Sequence, residues 1–251
     1  MTDHIIVEQP SAHPGVQIIR FNRPEKKNAI TRAMYRTMAD ALKSADADTT
    51  IRATAFLGTE GCFSAGNDLN DFLAAAVGGG GLEQEILDFL YALVKAEKPV
   101  ISGVDGLAIG IGTTIHLHCD LTIASSRSQF RTPFVDLALV PEAGSSLVAP
   151  RLMGHQRAFA LLAAGEAFSA EEAKDAGLIW KVVEPGEVDL VTLATAARLA
   201  AKPPEAMRIA RDLVRGDRDE IIARIDEEAR HFSARLKSAE ARAAFEAFMH
   251  R

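Results

Sequence analysis

Residues 100–112 read VISGVDGLAIGIG and decide the fold, because they join a buried strand to a glycine turn and a helix start. Val100 to Val104 is a short apolar run of the kind found in buried strands. The glycines after it expose backbone N–H groups at a helix N-terminus, where unsatisfied donors and the positive dipole end favour an anion. Glycine also lets another group approach the backbone closely.

Residues 53–69 read ATAFLGTEGCFSAGNDL and show the same arrangement. Ala53 to Leu57 predicts a strand, and the small residues of Phe63 to Leu69 predict a turn with a helix starting near Asp68. Two backbone amides that converge on one oxygen form an oxyanion hole. Each glycine turn taken alone is more often structural, so the pair carries the functional interpretation.

The rest of the N-terminal part alternates strands with helices. Ile5 to Glu8 and Val16 to Phe21 are β-rich runs, and Thr31 stands where a helix N-cap belongs. A helical run follows from Leu82 to Val94. Strands alternating with helices at this spacing favour an α/β protein with crossover connections. The four glycines of 78–81 predict a flexible loop.

The C-terminal part is helical. Strand patterns thin out after Ala143, apart from Trp180 to Glu184, and Ser169 opens a capping box. From Asp189 onward the pattern is helical, broken at Pro203-Pro204 and Gly216. The last apolar stripe either packs on the protein's own core or is buried against another subunit. It comprises Ile222, Ile225, Ala229, Phe232, Leu236, Ala241, Ala244, Phe245 and Phe248.

Composition excludes several classes of protein. The chain has 251 residues and a net charge of −6, which argues against a dedicated nucleic-acid binder. No uninterrupted apolar run approaches the ~20 residues of a membrane span, and the N-terminus lacks a signal-peptide pattern. Two separate cysteines suit a reducing compartment, so we predict a cytoplasmic protein without membrane attachment.

Cofactor and metal motifs fail on spacing. The glycines at 110 and 112 lack the third glycine of a dinucleotide fingerprint, and those at 61 and 66 are followed by Asn67-Asp68 rather than P-loop residues. His116 and His118 lie two positions apart, so on a helix they point in different directions and cannot share one ion. We predict no metal.

The glycine turns, together with residues 22–29 (NRPEKKNA), Cys119-Asp120 and the segment 133–146, resemble the crotonase superfamily, also called the enoyl-CoA hydratase/isomerase family. The resemblance runs from Val7 to Arg251. It implies an α/β fold, a spiral of ββα units followed by a C-terminal helical oligomerisation region. We expect a catalytic core over residues 1–190 and a trimerisation region over 191–251.

The resemblance also implies the ligand and the site. The amides of Asn67 and Ile111 are expected to hold an acyl-CoA thioester oxygen, and Phe134 to line an acyl pocket with Leu137. The expected contacts to the substrate and its CoA moiety are Lys26, Lys27, Ala65, Asp68, Leu69, Phe134, Phe248 and Arg251. No cofactor beyond the CoA of the substrate is expected. The expected partners are further copies of the chain, as a homotrimer or a dimer of trimers.

Departures from the family pattern point to the reaction. The two glutamates of the hydratases would fall at Thr114 and Phe134, neither of which exchanges a proton as a carboxylate does. Residues 140–146 (VPEAGSS) instead resemble the isomerase branch, with Glu142 as the catalytic base. Apolar neighbours are expected to raise the pKa of Glu142 toward neutrality. Asp136 is the rival base, whereas Asp68 and Asp120 are interpreted as structural carboxylates.

The sequence therefore predicts an enoyl-CoA isomerase that moves a double bond from the 3,4 to the 2,3 position through an enolate in the oxyanion hole. Two alternatives stay open at this point. One is hydration or another acyl-CoA reaction of the same superfamily, and the other is a catalytically silent acyl-CoA binder.

Overall fold

The structure, a computed structural model, describes residues 4–68 and 84–249. Its strands are β1 (Ile5–Glu8), β2 (Val16–Phe21), β3 (Ala53–Leu57), β4 (Cys62–Ser64), β5 (Val100–Val104), β6 (Leu107–Ile109), β7 (Leu121–Ser125), β8 (Gln129–Arg131), β9 (Phe168–Ser169) and β10 (Lys181–Val183). The helices are α1 (Arg32–Ala47), α2 (Gln84–Lys95), α3 (Ile111–Thr114), α4 (Ser145–Met153), α5 (His155–Leu162), α6 (Ala170–Asp175), α7 (Val188–Ala200), α8 (Pro204–Arg215), α9 (Arg218–Leu236) and α10 (Ala239–Met249).

Six strands form the larger sheet, in the order β1-β2-β3-β5-β7-β10. β1 is antiparallel to β2, and every other pair is parallel. Parallel strands need crossover connections, and helices supply them here. The α/β class predicted from the sequence is confirmed.

Four short strands form a second sheet, in the order β4-β6-β8-β9. β4, β6 and β8 are parallel, and β9 closes the sheet in antiparallel pairing with β8. β4 and β6 each follow a strand of the larger sheet after a short turn, so strands of the two sheets alternate along this part of the chain.

Each face of the larger sheet packs into a different core. On β2, Ile18 belongs to the smaller core, whereas Ile19 and Phe21 belong to the larger one. This alternation follows from the two-residue period of a strand. α7 covers the smaller core with Val188 and Ala196.

Helix starts follow the predicted capping. Thr31 accepts a hydrogen bond from the Met34 amide at 3.4 Å, and Ser169 with Glu172 forms the predicted capping box. The strands predicted at 5–8, 16–21, 53–57 and 100–104 have those bounds in the structure. The helix predicted near Asp68 and the flexible loop predicted at 78–81 lie outside the described residues.

The C-terminal helices join the main core rather than forming a separate one. Ile225, Phe232 and Leu236 of α9, with Ala241 and Phe245 of α10, are buried among residues of the N-terminal half. The stripe predicted there therefore packs, at least in part, on the protein's own core. No helix in the described part of the chain is long and apolar enough to cross a membrane.

Candidate active site

Two glycine turns lie side by side because the strands before them are paired. β4 and β6 run parallel, with Cys62 opposite Leu107 and Ser64 opposite Ala108. The turn 65–67 follows β4, and the turn 109–111 follows β6. Strands that run parallel end at the same edge of their sheet, so both turns emerge there together.

Gly66 brings the two turns into backbone contact. Its φ is +90°, and a Cβ atom at this position would lie 2.8 Å from the Ile109 carbonyl oxygen. Gly112 is as closely packed, since its Cβ would lie 2.8 Å from the Ser64 carbonyl oxygen. The close approach of the turns therefore depends on glycine on both sides.

The amides expected to form the oxyanion hole border one cavity. Ile30 bridges the first turn, donating to Gly66 O at 2.8 Å and accepting from the Asp68 amide at 3.0 Å. In such a parallel bridge the amide of the middle residue, Asn67, points away from Ile30. Ile111 is the first residue of α3, where an amide has no partner within the helix. No hydrogen bond among the described residues uses either amide.

The cavity beside these amides has a volume of about 710 Å³, within the range of ligand-binding pockets. Its apolar wall carries Phe134, Leu137, Leu139 and Phe232, and Lys26 and Arg131 add positive charge. The other lining residues are Ala29, Ala65, Gly66, Asn67, Asp68, Ile109, Gly110, Ile111, Pro133, Asp136, Ala244 and Ala247.

Glu142 is buried next to α3, with only 4% of its surface exposed. The Thr114 hydroxyl donates to its Oε1 at 2.6 Å. Thr114 follows Ile111 by three residues, which is roughly 4.5 Å along a helix. One short helix therefore carries both an oxyanion-hole candidate and the partner of the candidate base.

The buried position changes the acidity of Glu142. Burial raises its pKa to about 8, the Thr114 hydrogen bond opposes the shift, and the charge of Glu228 adds to it. A base of this pKa is poised to accept and return a proton near neutral pH. The raised pKa expected from the apolar neighbours is what the structure shows.

The backbone around Glu142 is unusual. Ala143 has φ +62° and Gly144 has φ +69°, so two successive residues occupy the left-handed region. Nε2 of the buried His118 lies 2.6 Å from the Ala143 carbonyl oxygen. The ring supplies a hydrogen bond at this turn, and burial lowers the His118 pKa to about 4, which keeps the ring neutral.

Tyr35 contributes to the site although the sequence analysis did not select it. Its hydroxyl donates to Oδ1 of Asn67 at 2.5 Å, and the ring is fully buried on α1. Burial raises the Tyr35 pKa well above its usual value, and the negative charge of Glu142 raises it further. Tyr35 therefore remains a donor and fixes the orientation of the Asn67 side chain. In the sequence, Tyr35 stands out only as a tyrosine on the buried face of an amphipathic helix, and that pattern does not indicate a role in the site.

The predicted CoA contacts are distributed unevenly. Lys26, Ala65, Asp68 and Phe134 line the cavity, whereas the exposed Lys27 does not. The Lys27 carbonyl instead accepts from the Ala65 amide at 2.9 Å, which ties residues 23–29 to the first turn. Leu69, Arg251 and the Phe248 side chain lie outside the described residues.

The other candidate carboxylates have cationic partners. Asp68 pairs with Arg23 at 2.6 Å, and Asp136 pairs with Arg131 at 2.9 Å. Asp120 accepts from the Val100 amide and from Arg211, both at 2.7 Å. Asp68 and Asp136 both line the cavity as paired carboxylates, whereas Asp120 and Glu142 are not among its lining residues. The structural interpretation of Asp68 and Asp120 stays a prediction.

The two histidines of the predicted helix point to different partners. His116 Nδ1 lies 3.0 Å from the Ser102 hydroxyl, and burial lowers its pKa to about 3. His118 contacts Ala143, as described above. Within the described ranges, no group of three or more ligating side chains is arranged to hold a metal ion.

The sequence profile of the enoyl-CoA hydratase/isomerase family matches residues 11–251. The chain therefore belongs to the enoyl-CoA hydratase/isomerase family, as the sequence analysis predicted. A structure of OdaA from Pseudomonas aeruginosa is 41% identical, with a TM-score of 0.94, and all of each chain is covered. The crotonase fold predicted from the sequence is confirmed.

Relatives named as isomerases support the predicted branch. Enoyl-CoA delta isomerase 2 of Rattus norvegicus is 36% identical over 221 residues, which are 85% of this chain and 56% of the rat protein. The chain thus spans little more than half of that relative's length. The 1,2-epoxyphenylacetyl-CoA isomerase of Escherichia coli K12 is 35% identical over 194 residues, 75% of this chain and 74% of that protein. These relatives confirm the family named in the predicted enzyme class, and the predicted isomerase activity remains a proposal.

Proposed function

We propose that this protein is a Δ3,Δ2-enoyl-CoA isomerase in which Glu142 moves a proton from C2 to C4 of the acyl chain. The amides of Asn67 and Ile111 hold the thioester oxygen as it gains negative charge. Phe134 and Leu137 contact the acyl chain, and Lys26 interacts with the CoA moiety.

The reaction balances without any other reagent. The Glu142 carboxylate takes a proton from C2, and the electron pair of that C–H bond moves into the thioester to give a dienolate. The protonated Glu142 carboxyl group then donates a proton to C4 of the dienolate, which leaves the double bond between C2 and C3 and restores the carboxylate. One carboxyl group is first base and then acid, and the enzyme returns to its starting state.

The oxyanion hole supplies most of the stabilisation in this scheme. A proton on carbon is a weak acid, so its removal near neutral pH depends on stabilising the enolate. Loss of one donor from such a hole typically costs about 3–4 kcal/mol. Two amides at neighbouring turns meet this requirement because they are fixed by the backbone and need no rearrangement during the reaction.

One observation carries the proposal: Thr114, three residues after Ile111 on α3, donates a hydrogen bond to the buried Glu142, which has no cationic partner among the described residues. The two carboxylates that line the cavity, Asp68 and Asp136, are each paired with an arginine. The positions of the two hydratase glutamates hold Thr114 and Phe134, so a water molecule lacks the usual pair of carboxylates. The isomerase names of the relatives agree with this interpretation.

Parallel assays of the purified protein test the proposal. We expect conversion of a 3-enoyl-CoA to the 2-enoyl-CoA, at a rate well above water addition to crotonyl-CoA. Faster hydration than isomerisation would favour the hydratase alternative. Tight binding of CoA thioesters without turnover across a panel of substrates would instead favour a catalytically silent binder.

A further inference from the structure

A second buried carboxylate lies behind the candidate base. Glu228 of α9 is 6% exposed, and it accepts hydrogen bonds from the Gly144 amide at 2.6 Å and the Ser146 amide at 2.9 Å. These amides belong to the N-terminus of α4, two and four residues after Glu142. Glu228 therefore caps α4 from a distant part of the chain.

This cap acts on a segment that needs support. Gly144 is the N-cap residue of α4 and offers no side chain for the free amides. Ala143, just before it, holds a left-handed φ that is unfavourable for a residue with a Cβ. Glu228 from one side and His118 from the other fix the turn, and the turn carries Glu142.

Charge couples the two carboxylates as well. Thr114 of α3 donates a hydrogen bond to Glu142, and the charge of Glu228 on α9 raises the Glu142 pKa. The charge of Glu142 in turn raises the pKa of Tyr35 on α1. The neutral His118 contacts the carbonyl group of the next residue, Ala143. The Glu228 pKa is raised overall, because burial outweighs the opposing effects of its hydrogen bonds to Ser146 and Gly144 and of the charge of Arg224. The two amides and the positive end of α4 favour an ionised Glu228.

We propose that Glu228 is a positioning residue for the reaction, clamping the turn that carries Glu142 and holding a negative charge behind it. The proposal rests on the proposed function, because it assumes that Glu142 is the base. Glu228 itself is separated from substrate by the turn and acts only through Glu142.

Two substitutions separate the clamp from the charge. Glu228→Gln removes the charge and keeps one acceptor, and Glu228→Asp keeps the charge but is too short to reach both amides. In Glu228→Gln the midpoint of the kcat/KM pH profile moves to lower pH, because a neighbouring negative charge no longer opposes ionisation of Glu142. In Glu228→Asp the midpoint stays, and kcat falls roughly tenfold at unchanged KM because one charged hydrogen bond is lost.

The contrary results are equally specific. If both variants keep the wild-type midpoint and lose stability alone, Glu228 is a structural cap and the proposal is wrong. If Glu228→Gln fails to fold, Glu228→Asp decides, since a wild-type kcat in that variant would overturn the clamp.

Glu142→Gln, assayed in parallel, distinguishes failure of the proposed function from failure of the inference about Glu228. Turnover by Glu142→Gln at the wild-type rate removes the proposed base and this inference with it. An inactive Glu142→Gln together with wild-type kinetics in both Glu228 variants removes the inference alone.

Discussion

The chemistry of the site depends on burial of one carboxyl group. Exposed glutamates are ionised at neutral pH, and they are too weakly basic to remove a proton from carbon. Glu142 differs because burial raises its pKa to about 8, although the hydrogen bond from Thr114 favours the ionised form. The side chain is thus basic enough to accept a proton and acidic enough to return it.

This pKa sets the expected pH dependence. The base must be ionised in the free enzyme, so kcat/KM for a 3-enoyl-CoA should fall about tenfold per pH unit below about pH 8 and level off above it. Initial rates between pH 6 and pH 9.5 measure this. A profile that is already flat from pH 6 would contradict Glu142 as the base.

Tyr35→Phe tests the contact that orients Asn67. The variant loses the hydroxyl that donates to Asn67 Oδ1 at 2.5 Å, and it keeps the packing of the ring. We expect kcat to fall about tenfold, the effect of roughly 1.4 kcal/mol, with little change in Tm. Tyr91→Phe is the matched control, because Tyr91 bonds Asp226 at an exposed position. Equal rates in the two variants would contradict a role for Tyr35.

At the scale of elements, the sequence predicted β3, β5 and the two glycine turns, but not β4 and β6, the short strands that lead directly into those turns. Alternating apolar residues and glycine positions are local patterns, and they were sufficient for β2, β3, β5 and the start of α3. The helices α4 and α5 were not predicted, because Pro150 interrupts the first and Gly154 divides the two.

Contacts between distant elements were also beyond the sequence. Tyr35 meets Asn67 across 32 positions, and Glu228 meets Gly144 across 84. A weak pattern existed for Glu228, since it follows Ile225 by three residues and precedes Phe232 by four. An acidic residue on a buried stripe indicates a polar partner, but only the fold identifies which one.

The glycine turns provide a test at this scale. Gly66→Ala places a Cβ 2.8 Å from the Ile109 carbonyl oxygen, so the turns must separate and the Asn67 amide must move. We expect kcat to fall at least tenfold. Gly61→Ala is the matched control, since φ is also positive there but nothing lies within 4 Å of the added Cβ. Both variants share the backbone strain, so similar kinetics in the two would contradict the importance of the turn contact.

At the scale of the whole molecule, the N-terminal sheets and the C-terminal helices share one core. α9 and α10 contribute Phe232, Ala244 and Ala247 to the cavity wall. The predicted division between residues 1–190 and 191–251 stays a prediction, and the shared core is a reason to expect that the two parts fold together.

We propose that the protein assembles as a homotrimer or a dimer of trimers. α8 presents Leu213 and Val214 with 80% and 88% of their surfaces exposed, which is costly for an isolated chain in water. Sedimentation equilibrium at micromolar concentration should give three or six times 27.0 kDa. A mass of one chain would contradict the assembly.

Glu142→Gln tests the central claim most directly, because it keeps the shape of the side chain and removes its ability to accept a proton. We predict that conversion of a 3-enoyl-CoA falls about 10²–10⁴-fold while affinity for a saturated acyl-CoA is retained. The variant should be at least as stable as wild type at pH 8, since it removes the cost of ionising a buried group. Turnover close to wild type, or a larger loss in Asp136→Asn than in Glu142→Gln, would contradict the claim.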